Sequence, residues 1–185
     1  TNFCRCIPGI IIMAPANGQD MLGLLNTAYQ YEGPALVRYP RDSTSKPENI
    51  DTDNCIELGR ATQVLKGSKT ALLVFGTLLS VALEVADELG CSVVNMRFIK
   101  PIDKAIIIEM ASTHSNLVTI EDSAIVGGAG SAVLEVLNEN RLTTPCLRLG
   151  LSDDFPSHGT REQVFEEYGL DKLSIINSIK NFTSP

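Results

Sequence analysis

No apolar run in this sequence reaches the roughly 18 residues that a membrane-spanning helix needs, so no helical span and no membrane partner are expected. A basic cluster is missing as well. Fifteen Lys plus Arg stand against 22 Asp plus Glu, and the formal charge is −7. The basic residues are scattered singly apart from Arg38 and Arg41, which argues against a nucleic-acid surface. The five cysteines (Cys4, Cys6, Cys55, Cys91 and Cys146) contain no C-x-x-C pair. Cys4 and Cys6 stand too close together for the usual zinc spacing and have no second half. A reduced, intracellular setting is therefore expected, with Cys91 and Cys146 as small core residues. Neither an initiator Met nor a signal peptide begins the sequence at Thr1, which reads as a fragment whose targeting segment, if any, lies elsewhere.

What is present is a length of 185 residues and a hydrophobic share of 44%, enough for one packed domain or one domain plus part of another. Gly9 to Met13 is a short apolar run that predicts a buried strand, and Ala35 to Tyr39 predicts another. Between them Met21, Leu24, Leu25 and Ala28 recur at helical spacing within Gly18 to Tyr31. This strand-helix-strand unit suits a right-handed parallel crossover, yet it is too small to cover its own faces. A polar stretch from Pro40 to Cys55 reads as an exposed linker.

Beyond it the pattern predicts an α/β domain with a mostly parallel five-stranded sheet. Its strands are expected at Arg60 to Leu65, Thr70 to Phe75, Cys91 to Arg97, Asn116 to Glu121 and Pro145 to Leu149. The helix after Gly76 is expected to be capped by Thr77 and to present Leu79, Ala82, Leu83, Ala86 and Leu89 on one face. Asp103 is placed to cap the next helix, and another is expected from about Ser131 to Asn140. Thr160 and Gln163 match a capping box. A last helix beginning at Asp171 carries Leu173, Ile176 and Ile179.

Several residues have chemistry to offer. Gly127 to Ser131 lies between a strand and a helix, where bare N–H groups can receive an anion. Tight turning and close helix-sheet approach explain the same glycines without a ligand. The loop has neither Gly-Lys-Ser/Thr nor G-x-G-x-x-G spacing. Glu121 and Asp122 fall at the carboxyl edge of a strand, where parallel sheets bind ligands, although capping the turn is explanation enough. His158 suits acid, base or phosphate duty, or a bond to local backbone. His114 ends a helix, where a cation meets the dipole favourably. Arg38 and Arg41, with Tyr39 and Pro40 between them, form the most specific polar feature. Two guanidinium groups at a strand end can fork onto a phosphate, or pair at the surface or with a neighbouring domain. No nucleophile-base-acid set and no metal cluster is visible.

The segments GPALVRYPR, ELGRATQVLKG, NMRFIKPID, VTIEDSAIVGGAGS and LGLSDDFPSHGT…YGLD together resemble the C-terminal third of the 1-deoxy-D-xylulose-5-phosphate synthases, a branch of the transketolase-like thiamine-diphosphate enzymes. The resemblance runs over nearly the whole chain in the right order, and the tail is its more particular part. It implies three regions: residues 1–41 as the end of a pyrimidine-binding domain, 42–57 as a linker, and 58–185 as a three-layer transketolase C-terminal domain. It further implies a parent transferase that condenses pyruvate with glyceraldehyde 3-phosphate, with loss of CO2, toward isoprenoids, thiamine and pyridoxal. Thiamine diphosphate and Mg2+ serve that parent, but their Gly-Asp-Gly plus Asn motif is absent from this sequence, so no cofactor or metal is assigned to it. Arg41 takes a part in the acceptor-phosphate site by the same resemblance, with Arg38 as its support or as a domain-contact residue. No catalytic residue is assigned. The implied partners are the parent's N-terminal and pyrimidine domains and a second copy in a homodimer, in a bacterial cytoplasm or plastid stroma. The fragment alone is expected to be inactive. Two alternatives stay open: the C-terminal domain of a 2-oxoacid dehydrogenase beta subunit, or a non-catalytic α/β module that binds a nucleotide or a partner chain.

Overall fold

The computed structural model describes residues 2–40 and 54–184. Arg41 and most of the expected linker lie outside these residues. A 3-10 turn at Phe3–Cys6 leads into strand β1 (Ile11–Met13), helix α1 (Gly18–Gln30) and strand β2 (Ala35–Val37). β1 and β2 pair in parallel, Ile11 opposite Ala35, as the crossover reading requires. Asn17 caps α1 by accepting from the Asp20 N–H. The buried face of α1 is Gly18, Asp20, Gly23, Leu24 and Thr27. Leu25, expected on the packed face, is 44% exposed, because the stripe is centred on the small residues that let α1 approach the sheet.

The second sheet has the order β3-β5-β4-β7-β8, formed by β3 (Thr62–Leu65), β4 (Thr70–Phe75), β5 (Ser92–Asn95), β7 (Asn116–Ala124) and β8 (Cys146–Leu151). β3 is the antiparallel edge, and the other pairings are parallel. β4 lies at the centre and is buried on both faces. Its alternation divides the core in two, as a period-2 strand must. Ala71, Leu73 and Phe75 meet helices α3 (Lys104–Thr113) and α4 (Ala129–Glu139). Leu72 and Val74 meet α2 (Leu79–Leu89) and α6 (Lys172–Thr183) on the other side. The result is the expected three-layer α/β arrangement.

Four local expectations need correction. The run from Cys91 to Arg97 is not one strand. β5 ends at Asn95, Arg97 turns the backbone at φ 55°, and Phe98–Lys100 forms a separate strand, β6, antiparallel to β1 in the first sheet. The strand-helix-strand unit is therefore completed by a strand from the later part of the chain, and Phe98 packs with Ile11, Met13 and Leu24. Thr77 does not cap α2. The N-cap is Leu78, without a side-chain bond, since the Thr77 hydroxyl is held elsewhere. In α2 the fully buried residues are Leu79, Ala82, Val85 and Ala86, so the stripe turns toward Val85, with Leu83 and Leu89 at its margin. In α6 the core residues are Ile175, Ile176 and Ile179, whereas Leu173 is 70% exposed. A three-residue step drifts off the face of a 3.6-residue helix.

The remaining caps follow the sequence reading. Asp103 accepts from the Ile106 N–H, Thr160 and Gln163 close a capping box, and Asp171 accepts from the Ser174 N–H. Together they fix where α3, α5 (Arg161–Glu167) and α6 begin.

Candidate functional site

The carboxyl ends of β4, β7 and β8 meet the end of β2 at one edge of the molecule. β7 runs three residues further than its expected end and finishes at Ala124. Glu121 and Asp122 thus belong to the strand, and their side chains serve opposite faces.

Glu121 points toward α4. Its Oε2 accepts from the Ala129 N–H at 2.8 Å and its Oε1 from the Gly130 N–H at 2.8 Å. Ser123 Oγ donates to Oε2 at 2.9 Å. The helix start that a ligand anion would occupy is filled by the protein's own carboxylate. The glycines make this possible: a Cβ at Gly128 would press on Glu121 Oε2 and Ala124 O, and one at Gly130 would lie 2.5 Å from Thr119 Oγ1. Close approach, not ligand binding, explains the loop. With 2% of its surface exposed, Glu121 has its pKa raised by burial, against the opposing pull of the two N–H donors, Ser123 and the Arg148 charge.

The N-terminal segment seals this loop from outside. Asn2 donates to the carbonyls of Ala124 and Val126. Arg5 donates to the carbonyls of Gly127 and Gly128 and pairs with Glu135 at 2.6 Å. Lys100 in β6 holds the same segment through the Arg5 and Ile7 carbonyls.

Asp122 points the other way, toward Arg38. The Arg38 guanidinium pairs with Asp122 Oδ1 and donates to the Asp122 main-chain oxygen at 2.6 Å. The arginine expected to fork onto a phosphate thus grips a carboxylate at the end of β7. Behind Asp122, Thr77 Oγ1 lies 3.5 Å from Oδ2 and accepts from Arg161 of α5. Arg161 itself stacks 4.7 Å over the Phe165 ring.

His158 is exposed in the segment before α5. The ring of His114 contacts Ser92 Oγ at 2.8 Å and the Met110 carbonyl at 3.1 Å, at the opposite, amino end of the sheet. Cys91 and Cys146 pack in or against the core, and burial raises each thiol to about 11.

One polar group escaped the sequence reading altogether. Asp20 is buried in α1 and accepts from Asn95 Nδ2 at 2.6 Å and from Arg97 Nε at 3.0 Å, while Arg97 reaches Thr62 with its other arm. Nothing in the spacing of residues 20, 95 and 97 announces this. The only signal was the conjunction of an acidic residue in a first helical turn with an arginine before a strand.

Among the described residues no group of three or more His, Cys, Asp or Glu could hold a metal ion. In the Gly127–Ser131 loop the Ala129 and Gly130 N–H groups, which could otherwise receive a diphosphate, are taken up by Glu121. No helix of the described residues is long and apolar enough to cross a membrane.

Residues 59–175 match the family described as the transketolase C-terminal domain. With the three-layer fold and the parallel sheet, this shows that the chain belongs to that family. The particular relatives are narrower. The chain is 46% identical over 178 residues to the 1-deoxy-D-xylulose-5-phosphate synthase of Hahella chejuensis, covering 96% of this chain and 28% of that protein. It is 45% identical to the synthase of the same name from Pseudoalteromonas translucida, over 98% of this chain and 29% of that protein. Among solved structures it resembles one titled "Split gene transketolase, inactive beta4 tetramer". There the TM-score is 0.87 and the identity 30%, with 97% of this chain and 60% of that one covered. The transketolase of Campylobacter jejuni shares the fold, at a TM-score of 0.68 and 19% identity. The chain thus spans less than a third of the length of the curated relatives it matches.

Proposed function

We propose that this chain is the C-terminal part of a 1-deoxy-D-xylulose-5-phosphate synthase, and that in the parent it scaffolds and anchors. The parent condenses pyruvate with glyceraldehyde 3-phosphate and releases CO2. The observation that carries this reading is similarity to synthases of that name along 96–98% of the chain. Thiamine diphosphate, when bound, supplies the stabilised carbanion. The groups that hold it and its Mg2+ belong to other parts of the parent. Homodimer formation and a bacterial cytoplasmic or plastid location belong to the same proposal.

Within the parent, Arg41 contributes to the acceptor-phosphate subsite and Arg38 supports it from the domain contact. Support for the division of labour comes from the Arg38–Asp122 pair, which commits one guanidinium of the two to the fold. As a separate molecule the chain does not turn over substrate. The solved neighbour described as an inactive beta4 tetramer, 60% of whose chain is covered by this one, supports this reading.

The test has two arms. The purified chain, supplied with thiamine diphosphate, Mg2+ and both substrates, is expected to form no product, and measurable product would overturn the scaffold reading. In the full-length enzyme, Arg41→Ala is expected to raise KM for glyceraldehyde 3-phosphate far more than KM for pyruvate. Equal effects on both would refute the phosphate assignment.

A further inference from the structure

Ser123, near the end of β7, has one hydroxyl proton and two oxygens competing for it. Glu121 Oε2 lies 2.9 Å from its Oγ, and Asn2 Oδ1 lies 3.2 Å away. A hydroxyl donates once, so with Glu121 charged one of these two acceptors faces a lone pair. The Asn2 carboxamide cannot turn to relieve this. Its Nδ2 already donates to the Ala124 and Val126 carbonyls at 2.8 and 2.7 Å, which fixes its oxygen toward Ser123.

We propose that Ser123 is the pivot of a proton-linked latch on the N-terminal segment. While Glu121 is charged, the Ser123 hydroxyl donates to its carboxylate, and Asn2 Oδ1 receives no proton from Ser123. When Glu121 takes up a proton, its carboxyl donates to Ser123 Oγ, and the Ser123 hydroxyl turns to Asn2. Donors and acceptors then alternate without conflict from Glu121 through Ser123 to Asn2. The segment leads directly into β1, and Lys100 of β6 holds it at the Arg5 and Ile7 carbonyls. The latch therefore ties the first sheet to the turn between β7 and α4 more firmly in acid than at neutral pH.

Glu121 suits this exchange because it is buried on the face of β7 that meets α4. Burial raises its pKa, so the proton is taken up above the ordinary carboxylate range. Arg148 of β8 is the nearby charge that opposes this. Beyond the loop stands Arg5, paired with Glu135 of α4, while Asp122 serves the opposite face of β7 with Arg38. Glu135 also holds the N-terminal segment, through Arg5, and its protonation weakens that pair. Acid acting through Glu135 therefore loosens the segment, whereas acid acting through Glu121 tightens it. The sign of the response separates the two.

Amide hydrogen exchange of the whole chain, followed by NMR, reads that sign. The Arg5 N–H donates to the Asn2 carbonyl and the Ile7 N–H to the Cys4 carbonyl, so both exchange when the segment lifts. With each rate divided by the intrinsic rate at the same pH, their protection is expected to rise about three- to tenfold from pH 7 to pH 5, the factor that one net hydrogen bond produces. Ser123→Ala removes the pivot, and in it the rise is expected to vanish. Glu121→Gln, which carries no titrating proton, is expected to do the same and serves if Ser123→Ala does not fold. Wild-type protection that stays level or falls on acidification would overturn the latch. A rise of the wild-type size in either variant would overturn it equally.

Discussion

Replacing Glu121 with Gln tests the self-filled helix start directly. Both carboxylate oxygens accept from backbone N–H groups, those of Ala129 and Gly130. An amide offers one acceptor and one NH2 group, so one of these buried donors must face another donor. A buried N–H left without a partner costs about 1–3 kcal/mol. For a chain of this size each kcal/mol lowers Tm by roughly 2–4 °C. The expected loss is therefore about 1–3 kcal/mol in urea unfolding at pH 7, with a matching fall in Tm.

The pH dependence sharpens the test. Burial raises the Glu121 pKa in the folded state, so this group's contribution to stability is fully present below its unfolded value of about 4.3. It is lost as pH rises through the folded value. Protonated Glu121 can donate to Ser123 Oγ and still accept from both N–H groups, which Gln cannot do. The gap between wild type and Glu121→Gln is thus expected to stay or widen as pH falls from 7 toward 5. A variant as stable as wild type at pH 7, or a gap that closes on acidification, would refute the reasoning.

Gly130→Ala places a Cβ 2.5 Å from Thr119 Oγ1 and 3.2 Å from Arg148 Cδ. It is expected to cost about 1–3 kcal/mol as overpacking, read by urea unfolding. Asp20→Ala leaves the Asn95 amide and the Arg97 guanidinium without their shared acceptor. Because Arg97 is 22% exposed, the cost is expected near the low end of the range for a broken buried pair, about 3 kcal/mol. Hydrogen exchange should show β1 and β6 losing protection first. In native alkylation at pH 8, Cys6, which is exposed, is expected to react while Cys91 and Cys146 do not, since burial holds both thiols near 11 and the thiolate is the nucleophile. Peptide mass mapping checks this, and rapid labelling of Cys91 or Cys146 in the folded protein would contradict it.

Most elements in residues 54–184, β6 excepted, were legible in the sequence because local chemistry decides them. Alternating apolar residues in Thr70 to Phe75, the capping groups Asp103, Thr160 and Asp171, and the glycines after β7 act within a few residues of themselves. The same is true of the parallel crossover between β1 and β2. Sequence similarity likewise reaches a family without coordinates, because it samples every position at once.

Other features depend on which surfaces meet in space. Whether the strand-like run through Asn95 and Arg97 continues or breaks depends on Asp20, some 75 residues away, and on an open edge of β1. Whether the glycine loop is an anion site depends on Glu121, whose side chain reaches it only after β7 and α4 have packed. Whether Arg38 faces a ligand or a carboxylate depends on two sheets coming together at their ends. Periodicity and capping report on neighbours along the chain. Charge partners and filled cavities arise between distant segments, and for these only the tertiary structure could decide.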